Sequence, residues 1–350
     1  MNVAHFQRRP TATGNNFSVE RIFSDVRAAL PPAIACTVNV CRHQRGVAGR
    51  ILNMLHAAFE QGDVNHIVGD VHYLTLPLRK NRTILTILDC VGLTDPRTLH
   101  RIVRKYLWYV IPARRAAVIT VISHATRAEL LREIGVAPSK VRVIPACVSP
   151  SFTPAPKTFD PADYRILQVG TARNKNLPRL VEAVRGLPCH LRIIGRLDAE
   201  QARCLEASGV RYSVASNLTD AEMVAEYRDC DLVAFVSTYE GFGLPILEGQ
   251  ATGRPVVTSR LLSMPEVAGE GACLVDPLHV AAIRSGIERI ASDRDYRSQL
   301  VARGFTNVKR YTHDAVAAMY AQLYQHVLDG TLESRTRSRE VPGAAGATAV

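Results

Sequence analysis

Short apolar runs alternate with helix-like segments along almost the whole of this 350-residue chain. The runs are rich in β-branched residues and end at turn residues, which is typical of strands buried on both faces. Alternating strands and helices form a parallel sheet with helices on both sides. In the first half the strand-like runs are IACTVNV, VNHIVG, RTILTILDCV, AAVITVIS and KVRVIP, and helical patterns cover 18–30, 47–61, 97–111 and 125–134.

A proline-rich segment divides this alternation in two. PACVSPSFTPAPKTFDPADY, residues 145–164, has five prolines and no hydrophobic period, which predicts a linker. A chain of this length also exceeds one ordinary core. We therefore predict an α/β protein with two doubly wound, Rossmann-like domains that face each other across a cleft, 1–155 and 156–311. The runs of the second domain are RILQVG, HLRIIG, VRYSV, DLVAFVS, RPVVTS and ACLVDP, with helices over 177–184, 198–207, 219–227, 245–251 and 279–291.

Two segments follow the second domain. Residues 312–328 carry an amphipathic stripe and are expected to form a helix that completes the first domain. The tail 329–350 is rich in Ser, Arg, Gly and Ala without a pattern, so we expect it to be disordered.

The net charge of +11 limits the class of partner. A basic chain attracts anions such as nucleotides, lipid headgroups and nucleic acid. Zinc-finger, RNP and basic-helix signatures are absent, and the 6% of aromatic residues do not alternate with basic ones, which argues against nucleic acid. The arginines of 97–115 form either a basic face for an anionic membrane or a solvated surface.

The compartment is predicted from the apolar runs and the cysteines. No run is long enough to span a bilayer, and the first residues lack the apolar core of a signal peptide. The eight cysteines form no CxxC pair and no zinc-like spacing, which favours reduced, buried thiols. We expect a cytoplasmic protein, with peripheral contact at the inner membrane face as an open alternative, and no metal site.

The stretch YEGFGLPILEGQATG places two acids around a glycine-rich turn. It follows the strand DLVAFVS, so Glu240 lies in the loop and Glu248 lies about one turn into the next helix. They do not share a helix face, so they are not a carboxylate pair acting on one bond. The glycines and the helix start suit a phosphate, and the acids suit hydroxyl groups on either side of it. The alternative is a plain strand–turn–helix with a capping acid.

A second phosphate-binding candidate is VGTARNKN. Gly170 ends a strand, and Arg173 and Lys175 follow in the loop. Asn176 is a candidate N-cap of the next helix. A lysine here can hold a diphosphate and stabilise it as a leaving group. The pattern is neither a Walker loop nor a complete G-x-G-x-x-G motif.

Together these motifs resemble the GT-B-fold retaining glycosyltransferases of the family-4, or group 1, type. EGFGLPILE is similar to their E-x7-E signature, VGTARNKN to their phosphate loop, and SMPEVAGEGACLVDP to the segment that follows. The resemblance covers about 17–328 and is most specific in the second half. One departure is Leu88 before Asp89, where many relatives have a histidine.

The resemblance implies a role for each site residue. Glu240, Lys175 and His72 would be catalytic, with Glu240 against the donor sugar and Lys175 against the diphosphate. The other donor-binding residues would be Arg173 at the diphosphate, Glu248 at the ribose, Gly195 and Arg196 at the base, and Gly241, Phe242, Gly243 and Leu244 through their backbone. The acceptor side would comprise Gly14, Asp70 and Asp89.

The implied reaction moves a hexose, for which mannose is one candidate, from a nucleoside diphosphate sugar to a glycan or lipid-linked acceptor. It would proceed with retention, without a metal and without a cofactor, in surface polysaccharide or glycolipid biosynthesis. Two D-x-D matches, at 229–231 and 293–295, are read as structural. The alternatives are another GT-B enzyme, such as a nucleotide-sugar epimerase or a phosphorylase, and a catalytically silent nucleotide-sugar-binding module.

Overall fold

A computed structural model describes residues 1–9, 18–43, 46–93 and 98–331. Two six-stranded sheets, each entirely parallel, form the two halves of the molecule. Helices cover both faces of each sheet, as the alternation of strands and helices predicts. The predicted architecture is therefore confirmed.

The first sheet has the strand order β2-β1-β3-β4-β5-β6. Its strands are β1 (Asn2–Gln7), β2 (Ala35–Val40), β3 (Val64–Ile67), β4 (Thr83–Ile87), β5 (Val118–Val121) and β6 (Val141–Val143). The helices of this half are α1 (Ser18–Ala28), α2 (Val47–Phe59), α3 (Thr98–Arg104), α4 (Ile111–Arg115) and α5 (His124–Ile134). A π-helical segment, Lys105–Val110, joins α3 to α4, so the single helix expected over 97–111 is a longer, composite one.

The second sheet has the order β12-β11-β10-β7-β8-β9. Its strands are β7 (Tyr164–Val169), β8 (Cys189–Ile194), β9 (Arg211–Ala215), β10 (Leu232–Phe235), β11 (Val256–Ser259) and β12 (Cys273–Val275). Its helices are α6 (Leu177–Val184), α7 (Ala199–Ser208), α8 (Asp220–Asp229), α9 (Leu244–Ala251), α10 (Met264–Ala268), α11 (Val280–Ser292) and α12 (Arg294–Val308).

The last helix, α13 (His313–Asp329), returns to the first half and packs beside α1. The hydroxyl oxygen of Tyr324 in this helix lies 3.0 Å from Nε2 of His5 in β1 and 2.8 Å from Nδ1 of His66 in β3. Burial lowers the pKa of His5 to about 3, so this imidazole is neutral at physiological pH. The tail expected to be disordered begins within this helix at Asp329, and from residue 332 onwards it lies outside the described residues.

Strand β1 has no counterpart among the predicted strands. Its sequence NVAHFQ carries three polar residues, of which His5 and Gln7 are buried. A polar strand interior is stable only when its groups find partners. For His5 the partner is Tyr324, 319 residues further along the chain, so no local pattern could indicate this strand.

The linker is packed rather than free. Within 145–164 the backbone forms no helix and no strand before β7 begins. However, Cys147, Val148 and Phe152 are buried, and the Val148 N–H donates to the carbonyl of Tyr311 at 2.9 Å. The segment therefore fixes the two sheets relative to each other as well as connecting them.

Candidate active site

A cavity of about 1090 Å³ lies between the carboxyl ends of the two sheets. Loops at these ends are where open parallel sheets bind their ligands. The cavity wall brings together most of the residues singled out in the sequence, namely Asp70, His72, Asp89, Lys175, Gly195, Arg196, Glu240, Gly241, Phe242, Gly243, Leu244 and Glu248. Gly14 falls outside the described residues.

The ammonium group of Lys175 and a carboxylate oxygen of Glu240 form an ion pair of 2.7 Å in this wall. The side chains are only 20% and 14% exposed, so water screens this pair weakly. Asn174 also donates to the same oxygen at 3.2 Å, and the Lys175 ammonium lies 4.7 Å from the ring centre of Phe235. Lys175 is thus a fixed positive charge in the cleft.

Gly170 makes this position of Lys175 possible. Its φ of +89° is unfavourable for residues with a side chain. A Cβ at this residue would also lie 2.9 Å from Cε of Lys175, whose chain folds across the glycine. The strand-ending glycine therefore provides the space through which Lys175 reaches Glu240.

Arg173 is the one described residue of the predicted donor site that lies outside the cavity wall. It starts the 3₁₀ turn Arg173–Lys175, and its side chain is exposed. Two residues of such a turn project in different directions, so the turn that aims Lys175 inward aims Arg173 outward. The arginines that do line the cavity are Arg8, Arg21, Arg104 and Arg196.

Asn176 occupies the predicted N-cap position of α6 but does not cap the helix. Its φ of +60° turns the side chain away from the first helical N–H groups. The amide instead donates to the carbonyls of Val236 and Pro277, at 3.0 and 2.7 Å. Asn176 therefore ties the phosphate loop to the segments that follow β10 and β12, while its Oδ1 accepts from the Arg179 side chain of α6 at 3.0 Å.

Glu248 points into the cavity from the second turn of α9. Tyr227 donates a hydrogen bond of 2.6 Å to its Oε2. Burial raises the pKa of Glu248, whereas this hydrogen bond and the charges of Arg21 and Lys175 oppose that rise. These neighbours thus favour the ionised carboxylate against the effect of burial.

The loop of Gly241 contacts the first half of the molecule directly. Its carbonyl oxygen accepts from the hydroxyls of Ser123 and Thr126, at 2.8 and 3.1 Å. A Cβ at Gly241 would overlap the carbonyl oxygen of Leu88 and lie 3.1 Å from Cβ of Asp89. The glycine is thus required here for a close approach between the two halves, a reason that the sequence did not indicate.

Other hydrogen bonds cross the cleft beside this loop. Tyr239 donates to Oε2 of Glu129 at 2.8 Å, and Arg21 of α1 pairs with Asp220 of α8 at 2.7 Å. The carboxylate of Glu266 accepts from the N–H of His124, at 2.9 and 3.1 Å from its two oxygens. These contacts hold the two halves together around the cavity. Sequence reasoning missed them because their partners lie in different domains.

His72 is buried in the wall contributed by the first half. Its Nδ1 lies 2.7 Å from the carbonyl oxygen of Trp108, and burial lowers its pKa. The imidazole is therefore neutral, with the proton on Nδ1 and a free electron pair on Nε2. The indole N–H of Trp108 donates to Asp70, so the chain's single tryptophan orients two of the predicted residues.

Asp89 stands next to this group. Burial raises its pKa, the Val91 N–H donating at 3.0 Å opposes the rise, and the neighbouring charge of Asp70 adds to it. This environment therefore favours the protonated carboxyl group more than the surroundings of an exposed aspartate would.

The expected base site is shaped by backbone contacts. Gly195 has a φ of +146°, and a Cβ there would lie 2.8 Å from the Thr171 methyl group. The Thr171 hydroxyl donates to the carbonyl of Arg196 at 2.6 Å. These contacts bring the ends of β7 and β8 close together in this part of the cavity wall.

The D-x-D aspartates have structural partners. Asp231 pairs with Lys157 at 2.7 Å, and Asp293 caps α12 by accepting from the Tyr296 N–H at 2.9 Å. Across the part of the chain that the structure describes, no group of three His, Cys, Asp or Glu side chains is arranged to hold a metal ion.

Two family descriptions match the chain in tandem. Residues 53–152 match "Glycosyltransferase Family 4", and residues 152–306 match "Glycosyl transferases group 1". The chain belongs to the GT-B glycosyltransferases of this type. The two matched segments meet at residue 152, in the linker. The cavity of this glycosyltransferase therefore lies between its two family segments.

Individual relatives agree with this assignment. The chain is 26% identical over 305 residues to O-antigen chain mannosyltransferase B of Escherichia coli, covering 79% of each protein. It is also 26% identical over 234 residues to MMP alpha-(1->4)-mannosyltransferase of Mycolicibacterium hassiacum, covering 62% of this chain and 56% of that one. Among solved structures, sucrose-phosphate synthase from Thermosynechococcus elongatus superposes with a TM-score of 0.77 at 18% identity, covering 94% of this chain and 99% of that one.

Proposed function

We propose that this glycosyltransferase moves a hexose, mannose in particular, from a nucleoside diphosphate sugar to a glycan or lipid-linked acceptor, with retention of the anomeric configuration. The observation that carries the proposal is the Lys175–Glu240 pair in the wall of a cleft that both halves line. The mannosyltransferase relatives support the choice of sugar, and the O-antigen relative supports a role in surface polysaccharide biosynthesis.

The donor nucleotide would lie along the second half. Lys175 would stabilise the negative charge that develops on the departing diphosphate. Glu248 would accept hydrogen bonds from the ribose hydroxyls, and the part of the cavity beside Gly195 would hold the base. Glu240, held by Lys175 and Asn174, would accept from hydroxyls of the sugar.

In the reaction, the bond between the anomeric carbon and the diphosphate oxygen breaks, and the electron pair leaves with the diphosphate. The acceptor oxygen bonds to the anomeric carbon from the same face. Its proton passes to the leaving phosphate oxygen. The neutral His72 would hydrogen-bond the sugar or the acceptor through Nε2, and the cross-cleft contacts would exclude water. Because Lys175 supplies the positive charge, the step needs no metal.

Proton NMR of the reaction tests both the retention of the anomeric configuration and the independence from a metal. The purified protein is incubated with GDP-mannose, or with other nucleoside diphosphate sugars, and a mannoside acceptor in the presence of EDTA. We expect transfer to continue and the new glycosidic bond to have the anomeric configuration of the donor. A product of opposite configuration would contradict retention. Activity that EDTA abolishes and Mg²⁺ restores would contradict the metal-independent step.

We also propose that the first half rests on an anionic lipid surface. Helix α2 exposes Val47, Ile51, Leu52, Leu55 and Phe59, the last of them 88% exposed. The α3 segment with its π-helical extension exposes Ile102, Val103, Tyr106 and Leu107. Residues 47–59 and 98–115 contain six Lys and Arg residues and no carboxylates. We call the exposed side of these two segments the apolar–basic face.

One contact joins the two segments into a continuous face. The guanidinium of Arg50 in α2 lies 4.8 Å from the ring centre of Trp108, so the two segments are neighbours. Apolar side chains surrounded by basic ones are typical of helices that lie in a membrane interface. No helix of the described residues is long and apolar enough to cross a bilayer.

Vesicle co-sedimentation tests the lipid contact. We expect the protein to sediment with vesicles that contain phosphatidylglycerol and to remain in solution with vesicles of phosphatidylcholine alone. The double variant Leu55→Ser, Phe59→Ser should lose most of this binding. The matched control Leu274→Ser, Leu278→Ser alters exposed leucines of the second half and should bind like the wild type. Equal sedimentation of both double variants would contradict the assignment of the face.

A further inference from the structure

Tyr227 is a buried residue of α8 whose hydroxyl group reaches the cavity only through Glu248. Its side chain is fully buried, and its ring packs edge-on against Phe152 of the linker, with 5.2 Å between the ring centres. Its backbone carbonyl accepts from Nε of Arg254 at 2.9 Å. Tyr227 is therefore fixed in place on both sides of its hydrogen bond to Glu248.

This hydrogen bond leaves Glu248 with one oxygen for a ligand. Oε2 accepts from Tyr227 at 2.6 Å, while Oε1 has no hydrogen-bond partner among the described residues. Burial raises the pKa of Tyr227 well above its usual value, so the hydroxyl keeps its proton and can only donate towards the carboxylate. A donor at Oε2 both fixes the rotation of the carboxylate and favours its ionised form.

The other charges around Glu248 come from both halves. Arg21 of α1 and Lys175 of the phosphate loop favour the ionised carboxylate, and Asp220 at the start of α8 opposes it. Arg21 is itself held by Asp220 at 2.7 Å. Arg21 and Lys175 act on Glu248 through their charges and belong to other elements. The Tyr227 hydroxyl, in contrast, hydrogen-bonds the carboxylate directly from within the same domain.

We propose that Tyr227 is a positioning residue that directs Oε1 of Glu248 at the ribose of the donor and thereby sets the preference for a ribose that has its hydroxyl groups over a 2′,3′-dideoxyribose. The inference rests on the proposed function, because it requires that a nucleotide binds with its ribose at Glu248. It adds a residue and a selectivity to that site. A ribose hydroxyl donates best to an ionised oxygen whose direction is fixed.

Calorimetry with Tyr227→Phe tests this inference. The probes are the nucleoside diphosphate that the wild type binds and its 2′,3′-dideoxy analogue. Loss of a hydrogen bond to a charged group should weaken ribonucleotide binding by about tenfold. Binding of the dideoxy analogue, which has no hydroxyl group for Glu248, should not change. The control Tyr164→Phe removes another buried tyrosine hydroxyl of the same domain and should leave both affinities unchanged.

The pH profile separates positioning from a general loss of structure. Ribonucleotide affinity of the wild type should fall as the pH drops through the pKa of Glu248. Without the donor from Tyr227 this pKa is higher, so the fall should begin at a higher pH in Tyr227→Phe. In a Glu248→Gln background, Tyr227→Phe should cost no further ribonucleotide affinity, because the carboxylate that it serves is gone.

Three results would overturn the inference. They are unchanged ribonucleotide affinity in Tyr227→Phe, an equal loss for the dideoxy analogue, and an unshifted pH profile. In each case the wild type still binds the nucleotide, so the proposed function stands. A wild type that binds no nucleotide would overturn both.

Discussion

Replacing Lys175 by alanine lowers kcat by about 10²–10³-fold, the range expected when one fixed group that stabilises a developing negative charge is removed. The ammonium lies in a cleft where water screens it little, so its attraction for the departing diphosphate is strong. The substitution also leaves Glu240 without its counter-charge. The resulting repulsion of a diphosphate should weaken donor binding, so KM for the donor should rise as well.

Steady-state kinetics of Lys175→Ala and Arg173→Ala measure this effect with a control from the same loop. Arg173 is exposed and outside the cavity wall, so its loss should change kcat by less than about twofold. Equal losses in the two variants would show that general loop charge, and not the fixed ammonium of Lys175, acts on the diphosphate.

Gly241→Ala should lower kcat by a similar or larger factor for a steric reason. A methyl group at this residue would overlap the Leu88 carbonyl oxygen, so the two halves could not approach as they do here. The hydroxyls of Ser123 and Thr126 would then lose the Gly241 carbonyl. A displacement of about 1 Å between reacting groups can cost about 10²-fold in rate. Nucleotide affinity should change much less, because the nucleotide contacts come from the second half.

Small-angle X-ray scattering and thermal unfolding distinguish this effect from simple destabilisation. Gly241→Ala should increase the radius of gyration and leave the unfolding temperature nearly unchanged. The control Gly209→Ala has open space around its Cβ but a φ of +71°, so it should lower the unfolding temperature and leave the scattering unchanged. A closed, wild-type scattering profile with full activity in Gly241→Ala would refute the steric argument.

The parts of the fold that the sequence predicted are those with local signals. Runs such as DLVAFVS and RILQVG are apolar throughout and bounded by turn residues, so they read as buried strands without knowledge of their neighbours. The same reasoning placed Lys175 and Glu240 in loops at the carboxyl ends of strands and Glu248 about one turn into the next helix, and all three line one cavity.

The parts that escaped prediction depend on distant partners. Strand β1 is stable because Tyr324 satisfies its buried histidine, and Gly241 is constrained by Leu88 of the opposite half. Neither contact can be predicted from a short stretch of sequence, because the two partners lie far apart in the chain. The outward direction of the Arg173 side chain depends on a single 3₁₀ turn of three residues. Element boundaries predicted from sequence are uncertain by about one or two residues at each end, so such a short turn cannot be placed.

The roles of Tyr227 and Trp108 were missed for the same reason. Each residue orients a predicted site residue from another element, Tyr227 acting on Glu248 and Trp108 on Asp70. Both rings pack in or against a hydrophobic core. Only the geometry shows that their polar atoms face the site.

Calorimetry with UDP, GDP, ADP and dTDP is the most direct test of a nucleotide-sugar site between the two halves. We expect the wild type to bind one of these nucleotides preferentially, and Lys175→Ala and Glu248→Ala, each still folded, to lose most of this affinity. A folded wild type that binds none of the four, or two variants that bind as tightly as the wild type, would contradict a nucleotide-sugar site in this cavity.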